Sequence, residues 1–267
     1  MRWETDEWRY DPAELFDLDG TGAIVTGGAS GIGRAIALGL AARGADVIVA
    51  DVDEDGAEEV ATAAAAVEGD GNGHATAVRA DVTDVDSLRS LRETATAELD
   101  SYDVLFNLPG VNVRKPVLEL SPEEWRDVIE LNLTGVYLSA KVLGRPLVEG
   151  SGGSVVNMAS IRGIDGGPDQ SAYSASKGGV IQFTKVLAAE WAPDVRVNAL
   201  APGYVKTPLV REAMEDEAWH EEMRAGHLLG RFGDPEEVVG GAVYLASDAA
   251  SFVTGSVLPV DGGWTAV

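Results

Sequence analysis

A tyrosine and a lysine in the second half of the chain have the types and spacing needed for acid–base chemistry on an alcohol. Tyr173 and Lys177 lie four residues apart in SAYSASKGG, so on a helix they share one face. A free tyrosine has a pKa of about 10, too high for a base at neutral pH. Because a nearby ammonium favours the phenolate, we expect Lys177 to lower the pKa of Tyr173.

A serine strengthens this interpretation. Tyr-x-x-x-Lys alone is common on helix surfaces, where the two side chains are usually solvated. Ser160, however, ends the apolar run SVVNMAS before Tyr173. At the carboxyl end of a strand, where ligands of parallel sheets bind, its hydroxyl can hold a substrate oxygen beside the tyrosine.

A glycine-rich turn, TGGASGIG from Thr26, has the composition of a phosphate-binding site. Its glycines let the backbone approach a pyrophosphate, and the helix that follows offers free N–H groups. Such turns are weak evidence alone, but Asp51 ends the next predicted strand, where a carboxylate accepts hydrogen bonds from ribose hydroxyls. An ordinary strand-end residue or helix cap is the alternative for Asp51. Because Asp51 would repel a 2′-phosphate and Ser30 carries no compensating charge, we expect NAD, with NADP disfavoured.

Strands and helices must alternate to position these groups. Short β-branched runs alternate with Ala/Leu/Glu-rich stretches of helical periodicity, which predicts a mostly parallel sheet covered by helices on both faces. We therefore expect an α/β, doubly wound single domain over residues 16–267, with about seven strands and an acidic N-terminal extension over residues 1–15. The strand runs begin near Ala23, Asp46, Thr76, Asp103, Ser154, Arg196 and Ser256.

Composition excludes several classes of function. The chain of 267 residues has 44 acidic and 20 basic side chains, a net charge of −24, and no cysteine. The acidic surface disfavours nucleic-acid binding, and the dispersed acids with few lysines indicate adaptation to high salt. No apolar run resembles a signal peptide or membrane span, so we expect a cytoplasmic protein with no membrane partner. The three histidines show no metal-ligand spacing, so we expect no metal.

Taken in order, these motifs resemble the short-chain dehydrogenase/reductase family from about Leu18 to Trp264. The resemblance implies a Rossmann-type domain, a small-molecule substrate, and Asn132 as a catalytic residue that holds a proton-relaying water near Lys177. It also implies that Lys177 binds the nicotinamide ribose, and that a homotetramer forms through helices Glu123–Leu147 and Ala172–Trp191. The implied cofactor-binding residues are Gly27, Ser30, Gly31, Ile32, Gly33, Asp51, Asp81, Val82, Asn107, Gly110, Tyr173, Lys177, Pro202, Gly203, Val205 and Thr207. Asp81 and Val82 would contact adenine, Asn107 and Gly110 would line the adenosine side, and the last four would contact the nicotinamide end.

The chain departs from the family pattern at one point. Leu108 and Pro109 stand where the family has asparagine and alanine. The lost amide and the lost backbone donor put the local sheet and cofactor geometry in question.

Two arginines are candidates for substrate binding. Arg114 and Arg162 either pair with the abundant surface acids or bind a substrate carboxylate. The stretch GVNVRKP resembles gluconate-like sugar-acid dehydrogenases, which favours a sugar, polyol or sugar acid. The alternatives are a 3-oxoacyl-carrier-protein reductase, which GRFGDPEEVV and VDGGW resemble, and a non-enzymatic NAD-binding regulator on the same fold.

Overall fold

A single seven-stranded parallel sheet organises the protein, as the strand–helix alternation predicts. The computed structural model describes residues 14–67 and 73–267. Most of the predicted extension, residues 1–13, therefore lies outside the described residues. The sheet order is β3-β2-β1-β4-β5-β6-β7. The strands are β1 Gly22–Thr26, β2 Asp46–Asp51, β3 Ala75–Arg79, β4 Val104–Asn107, β5 Gly153–Met158, β6 Val195–Pro202 and β7 Val257–Val260.

Helices cover both faces of the sheet. They are α1 Gly31–Ala41, α2 Glu54–Ala64, α3 Val85–Leu99, α4 Pro122–Ile129, α5 Gly135–Leu143, α6 Arg145–Glu149, α7 Ser171–Trp191, α8 Pro208–Met214, α9 Glu217–Gly226 and α10 Glu236–Ala246. Strand residues alternate between two buried clusters, since successive side chains of a strand point to opposite faces. Val25 packs with Leu40 of α1, whereas Ile24 packs on the other face with Leu88 of α3.

The order of the strands locates the ligand-binding edge. The chain runs outward from β1 through β2 to β3, and then returns to pair β4 with the other side of β1. At such a reversal the loops after β1 and β4 diverge to opposite faces and leave a crevice at the carboxyl ends of the strands. Thr26 of β1 and Asn107 of β4 are paired at this point.

Strands β3 and β7 form the edges of the sheet and keep partly exposed residues. One sequence-based expectation needs correction. The predicted helix Glu123–Leu147 is not continuous. A π-helical turn at Glu130–Thr134 separates α4 from α5, and α6 follows Gly144 as a separate short helix.

Candidate active site

A cleft of about 390 Å³ opens at the carboxyl edge of the sheet and brings together most of the predicted site residues. Of the residues singled out from the sequence, the following line it: Gly27, Ser30, Gly31, Ile32, Gly33, Asp51, Asp81, Val82, Gly110, Arg114, Ser160, Arg162, Tyr173, Lys177, Pro202, Gly203, Val205 and Thr207. Asn107 and Asn132 lie behind the cleft wall.

The glycine-rich turn has the geometry of a cradle for phosphates. Gly27 has a φ of +72°, a conformation that favours glycine. A Cβ on Gly33 would lie 2.0 Å from the carbonyl oxygen of Gly27, so α1 can approach the turn this closely only with glycine there. Ser30 caps α1 in extended conformation, and its side chain makes no capping hydrogen bond. The first N–H groups of α1 and the Ser30 hydroxyl thus fit a dinucleotide pyrophosphate.

Two carboxylates stand where the nucleoside half of such a ligand would lie. Asp51 accepts one hydrogen bond on each oxygen, from the N–H groups of Ala29 (3.0 Å) and Asp53 (3.1 Å). Each of its oxygens keeps a lone pair, enough for two ribose hydroxyls. One oxygen of Asp81 accepts from the N–H and hydroxyl of Thr83, and these bonds lower the pKa of Asp81. The other oxygen can accept an adenine amino group.

Asn107 does not have the position that the resemblance implied. Its side chain is buried, and its amide nitrogen donates to the Asn157 side chain at 2.8 Å, between β4 and β5. Gly110 also differs, because it lies at the catalytic end of the cleft. A Cβ there would be 3.4 Å from Lys177 Nζ and 3.5 Å from Asn132 Oδ1. Gly110 therefore leaves space between these two polar groups.

The departure at Leu108 and Pro109 leaves the sheet intact. β4 ends at Asn107, so the missing N–H of Pro109 removes no bond from the ladder. Leu108 still donates its N–H to Thr26 at 3.2 Å and is buried in the core. Pro109 packs against Gly27. Leu108 and Pro109 therefore leave the backbone hydrogen bonds of the local sheet unchanged.

Asn132 ties the loop after β4 to α7. It lies in the π-helical turn, a feature frequent at functional sites. Its amide donates to the carbonyl of Val111 (2.9 Å) and to Ser176 Oγ (3.1 Å), and its oxygen accepts from the Val111 N–H (2.8 Å). A buried asparagine in a helix can also bridge backbone groups within that helix. Asn132 bridges backbone, but that of another loop, and one lone pair of Oδ1 stays available for water.

Ser160, Tyr173 and Lys177 converge on one side of the cleft. α7 presents Tyr173 and Lys177 on one face, and the Lys177 Nζ lies 5.9 Å from the centre of the Tyr173 ring. Ser160 follows β5, begins a single 3₁₀ turn, and hydrogen-bonds the Tyr173 phenol. The three groups thus surround one point where a substrate oxygen can lie.

The electrostatics of Tyr173 differ from the expectation. Burial raises the pKa of Tyr173, although the hydrogen bond with Ser160 and the charge of Arg114 act in the opposite direction. Lys177 is not one of the groups that lower the pKa of Tyr173. Its Nζ donates to the Met158 carbonyl at 2.7 Å, and burial lowers the pKa of Lys177 to about 8. In the polypeptide alone, Tyr173 is therefore a protonated donor at neutral pH.

An aromatic wall closes the substrate end, and the sequence reasoning missed its central residue, Tyr204. The Tyr204 ring lies 5.3 Å from both Trp219 and Trp264 in edge-on contacts, and its hydroxyl accepts from Arg162 and Gln170. Its position directly after Pro202-Gly203, at the end of a predicted strand, was the available signal.

Within residues 14–67 and 73–267, no cluster of three or more His, Cys, Asp or Glu side chains could hold a metal ion. No helix within the same ranges combines the length and apolarity that crossing a membrane requires.

Comparison with known proteins agrees with this geometry. A family model described as enoyl-(acyl carrier protein) reductase matches residues 27–265. The chain is 47% identical over 247 residues to a cis-4-hydroxycyclohexanecarboxylate dehydrogenase of Sinomonas cyclohexanicum, covering 92% of this chain and 96% of that protein. It is 37% identical to a 3-oxoacyl-[acyl-carrier-protein] reductase of Thermotoga maritima, covering 92% and 98% of the two chains.

A solved structure gives the same result. The chain superimposes with a TM-score of 0.88 and 43% identity on a candidate NAD(P)-dependent gluconate 5-dehydrogenase of Beutenbergia cavernae, covering 95% of this chain and all of that one. That structure contains NADP at low occupancy. Both resemblances expected from the sequence, to gluconate-type dehydrogenases and to 3-oxoacyl reductases, are thus confirmed. The chain belongs to the short-chain dehydrogenase/reductase family, whose fold binds a nicotinamide cofactor.

Proposed function

We propose that this oxidoreductase uses NAD to interconvert a secondary alcohol and a ketone on a sugar, polyol, sugar acid or cyclic hydroxy acid. The observation that carries the proposal is the convergence of Ser160, Tyr173 and Lys177 on the same cleft as the glycine-rich turn. A nicotinamide cofactor accepts or supplies the hydride. The protein must then bind the substrate oxygen, move one proton and keep the reacting groups aligned.

Tyr173 transfers the proton. In ketone reduction, the protonated phenol donates to the carbonyl oxygen as the hydride arrives at carbon. In alcohol oxidation, the phenolate accepts the hydroxyl proton. Ser160 orients the substrate oxygen, and Lys177 contributes positive charge at the nicotinamide ribose. Asn132 and the space beside Gly110 accommodate a water that carries the proton onward from Lys177.

The preference for NAD follows from the charge at Asp51. A carboxylate accepts hydrogen bonds from ribose hydroxyls and repels a 2′-phosphate. In the described part of the cleft lining, the positive side chains are Arg114, Arg162 and Lys177, all at the substrate end. We therefore infer NAD, although the similar protein of Beutenbergia cavernae contains NADP.

A linked spectrophotometric screen tests this function. Polyols, aldonic acids, cyclic hydroxy acids and their keto derivatives are offered with NAD(H) and with NADP(H), at low and high salt. We expect NAD-linked turnover of at least one class, and its loss in Tyr173→Phe with NADH binding retained. Absence of turnover across the panel would favour the alternative of a non-enzymatic NAD-binding regulator.

The alternative of a 3-oxoacyl-carrier-protein reductase is supported by the Thermotoga maritima relative. Two features weigh against it. Asp51 disfavours the NADPH that biosynthetic reduction generally uses, and a net charge of −24 would repel an acidic carrier protein. Faster NADPH-linked reduction of an acyl thioester than of any sugar or cyclic ketone would favour this alternative.

Assembly and environment form the last part of the proposal. Large apolar side chains remain exposed on α4, α5 and α7, including Trp125, Tyr137 and Val186, and support a homotetramer. Light scattering after gel filtration tests the tetramer, and cell fractionation tests the cytoplasmic location. The net charge supports adaptation to high salt, so thermal stability should rise as KCl screens the acidic surface.

A further inference from the structure

Positive charge at the substrate end of the cleft comes from two arginines with different surroundings. Lys177 donates one of its three ammonium hydrogens to the Met158 carbonyl, and the proposed function places its charge at the nicotinamide ribose. Arg162 and Arg114 both line the cleft beyond it. The sequence offered both as possible carboxylate ligands, and their hydrogen bonds now distinguish them.

Arg162 is fully engaged within the protein. Its side chain is buried, with Nε and Nη2 donating to the Tyr204 hydroxyl at 3.3 and 3.1 Å. Nη1 donates to the Asp165 carboxylate (3.3 Å) and to the Gly166 carbonyl (3.2 Å). The Arg162 guanidinium also lies 4.9 Å from the centre of the Trp264 ring. All three of its nitrogens donate hydrogen bonds within the protein, two of them to Tyr204 of the aromatic wall, so Arg162 is a positioning residue.

Arg114 has the opposite character. Within residues 14–67 and 73–267, its Nη1 is buried without a hydrogen-bond partner. The guanidinium carbon lies 4.4 Å from the centre of the Trp219 ring and 6.0 Å from that of Tyr204. Burial lowers the pKa of Arg114, yet arginine stays charged in proteins. A partly desolvated cation without an anion is costly, and an anionic ligand would relieve that cost.

The loop that carries Arg114 is fixed on both sides. Val111 is bonded to Asn132, and the Lys115 N–H donates to the Asp169 carbonyl at 2.9 Å. Between them, Asn112 donates to Gln170 at 3.1 Å. The guanidinium is thus held over the cleft by backbone and neighbouring side chains before any ligand arrives, which lowers the entropic cost of binding.

We propose that Arg114 binds the carboxylate of the substrate and selects hydroxy acids whose ring or short carbon chain packs on Tyr204, which lines the cleft. The inference rests on the proposed function, because the carboxylate must be anchored while the carbinol lies at Tyr173. Arg114 and Tyr173 line the same cleft of about 390 Å³, so one small molecule can contact both. In oxidation, the carbinol carbon gives its hydride to the nicotinamide and its hydroxyl proton to Tyr173. The carboxylate itself is unchanged.

The test compares an acid with its neutral analogue. Parent protein, Arg114→Gln and Arg114→Lys are assayed with cis-4-hydroxycyclohexanecarboxylate and its carboxamide. A bidentate charge-assisted pair is worth about 100-fold in affinity. We therefore expect Arg114→Gln to lower kcat/KM for the acid about 100-fold and for the amide less than about threefold, with Arg114→Lys in between. Plateau values across pH are compared, because Arg114 also lowers the pKa of Tyr173.

A binding measurement separates this inference from the proposed function. Cyclohexanecarboxylate, which has no hydroxyl to oxidise, is titrated calorimetrically into each protein saturated with NAD. Arg126→Gln removes an exposed arginine of α4 as a matched control for net charge. We expect Arg114→Gln to weaken binding about 100-fold and the control to leave it unchanged. This readout holds even if none of the alcohols is turned over, and thermal melting confirms that each variant is folded.

Three outcomes would overturn the inference. The parent protein fails to prefer the acid over the amide, Arg114→Gln impairs both substrates equally, or cyclohexanecarboxylate binds the Gln variant as tightly as the parent. Turnover of the acid together with any of these would leave the dehydrogenase function standing and remove only the role of Arg114.

Discussion

Replacing Lys177 with methionine removes a buried ammonium whose energetic cost the structure allows us to estimate. Lys177 is 2% exposed, and burial lowers its pKa to about 8, compared with about 10.4 for a free lysine. This difference corresponds to about 3 kcal/mol of destabilisation when the side chain is charged in both states. The loss of the hydrogen bond to the Met158 carbonyl costs the variant about 1 kcal/mol at any pH.

The sign of the pH dependence follows from the lowered pKa. Because the folded state disfavours the charged form, the stability that deprotonation gives is fully present above about pH 10.4 and is lost as pH falls through about 8. The cost of the ammonium is therefore about 3 kcal/mol near pH 7 and about 1 kcal/mol near pH 10. Relative to the parent, Lys177→Met should gain about 2 kcal/mol more at the lower pH.

Urea unfolding of both proteins at the two pH values, without added nucleotide, measures this difference. Lys185→Met, on an exposed position of the same helix, is the matched control and should show no such pH dependence. An equal difference between Lys177→Met and the parent at both pH values would refute the reasoning, because it would mean that the ammonium is not desolvated.

Three further outcomes follow from the site. Asp51→Ala should lower kcat/KM with NADH about tenfold or more and raise the relative use of NADPH; an unchanged NADH-to-NADPH ratio would contradict the role of Asp51. Because burial raises the pKa of Tyr173, the rate of alcohol oxidation should climb from neutral to alkaline pH, and a rate profile flat over that range would contradict this role. Asn132→Ala should lose about 2 kcal/mol of stability, visible as a fall in Tm of about 4–8 °C; an unchanged Tm would show that its bonds to Val111 and Ser176 are weak.

The sequence predicted the sheet well because its signal is local. Each β-branched run became a strand, and Asp51 and Ser160 fell at strand ends as their spacing indicated. The break between α4 and α5 was not predictable in the same way. The π-helical turn at Glu130–Thr134 keeps the apolar periodicity of a continuous helix and is fixed by tertiary bonds, such as those of Asn132.

The chemical properties of the site residues were harder to predict, because they depend on burial and on hydrogen-bond partners in the folded chain. The four-residue spacing correctly placed Tyr173 and Lys177 on one face, but the spacing carries no information on desolvation, which moved the pKa of Tyr173 upward. From the sequence, Arg114 and Arg162 were equally good candidates for binding a substrate carboxylate. Only the folded chain shows that Arg162 has three intramolecular acceptors while Arg114 has an unpartnered nitrogen.

The triple connection at Tyr204 has a consequence for how this enzyme can change over evolution. Its hydroxyl joins the loop after β5, the start of α7 and the end of β6 into one hydrogen-bonded block. A single substitution in that block disturbs three segments at once. A new substrate specificity that requires such a substitution must therefore evolve through destabilised variants. In the neighbouring loop at 111–116, the Nη1 atom of Arg114 makes no hydrogen bond that a substitution would break. Adaptation to new substrates should therefore begin at this loop.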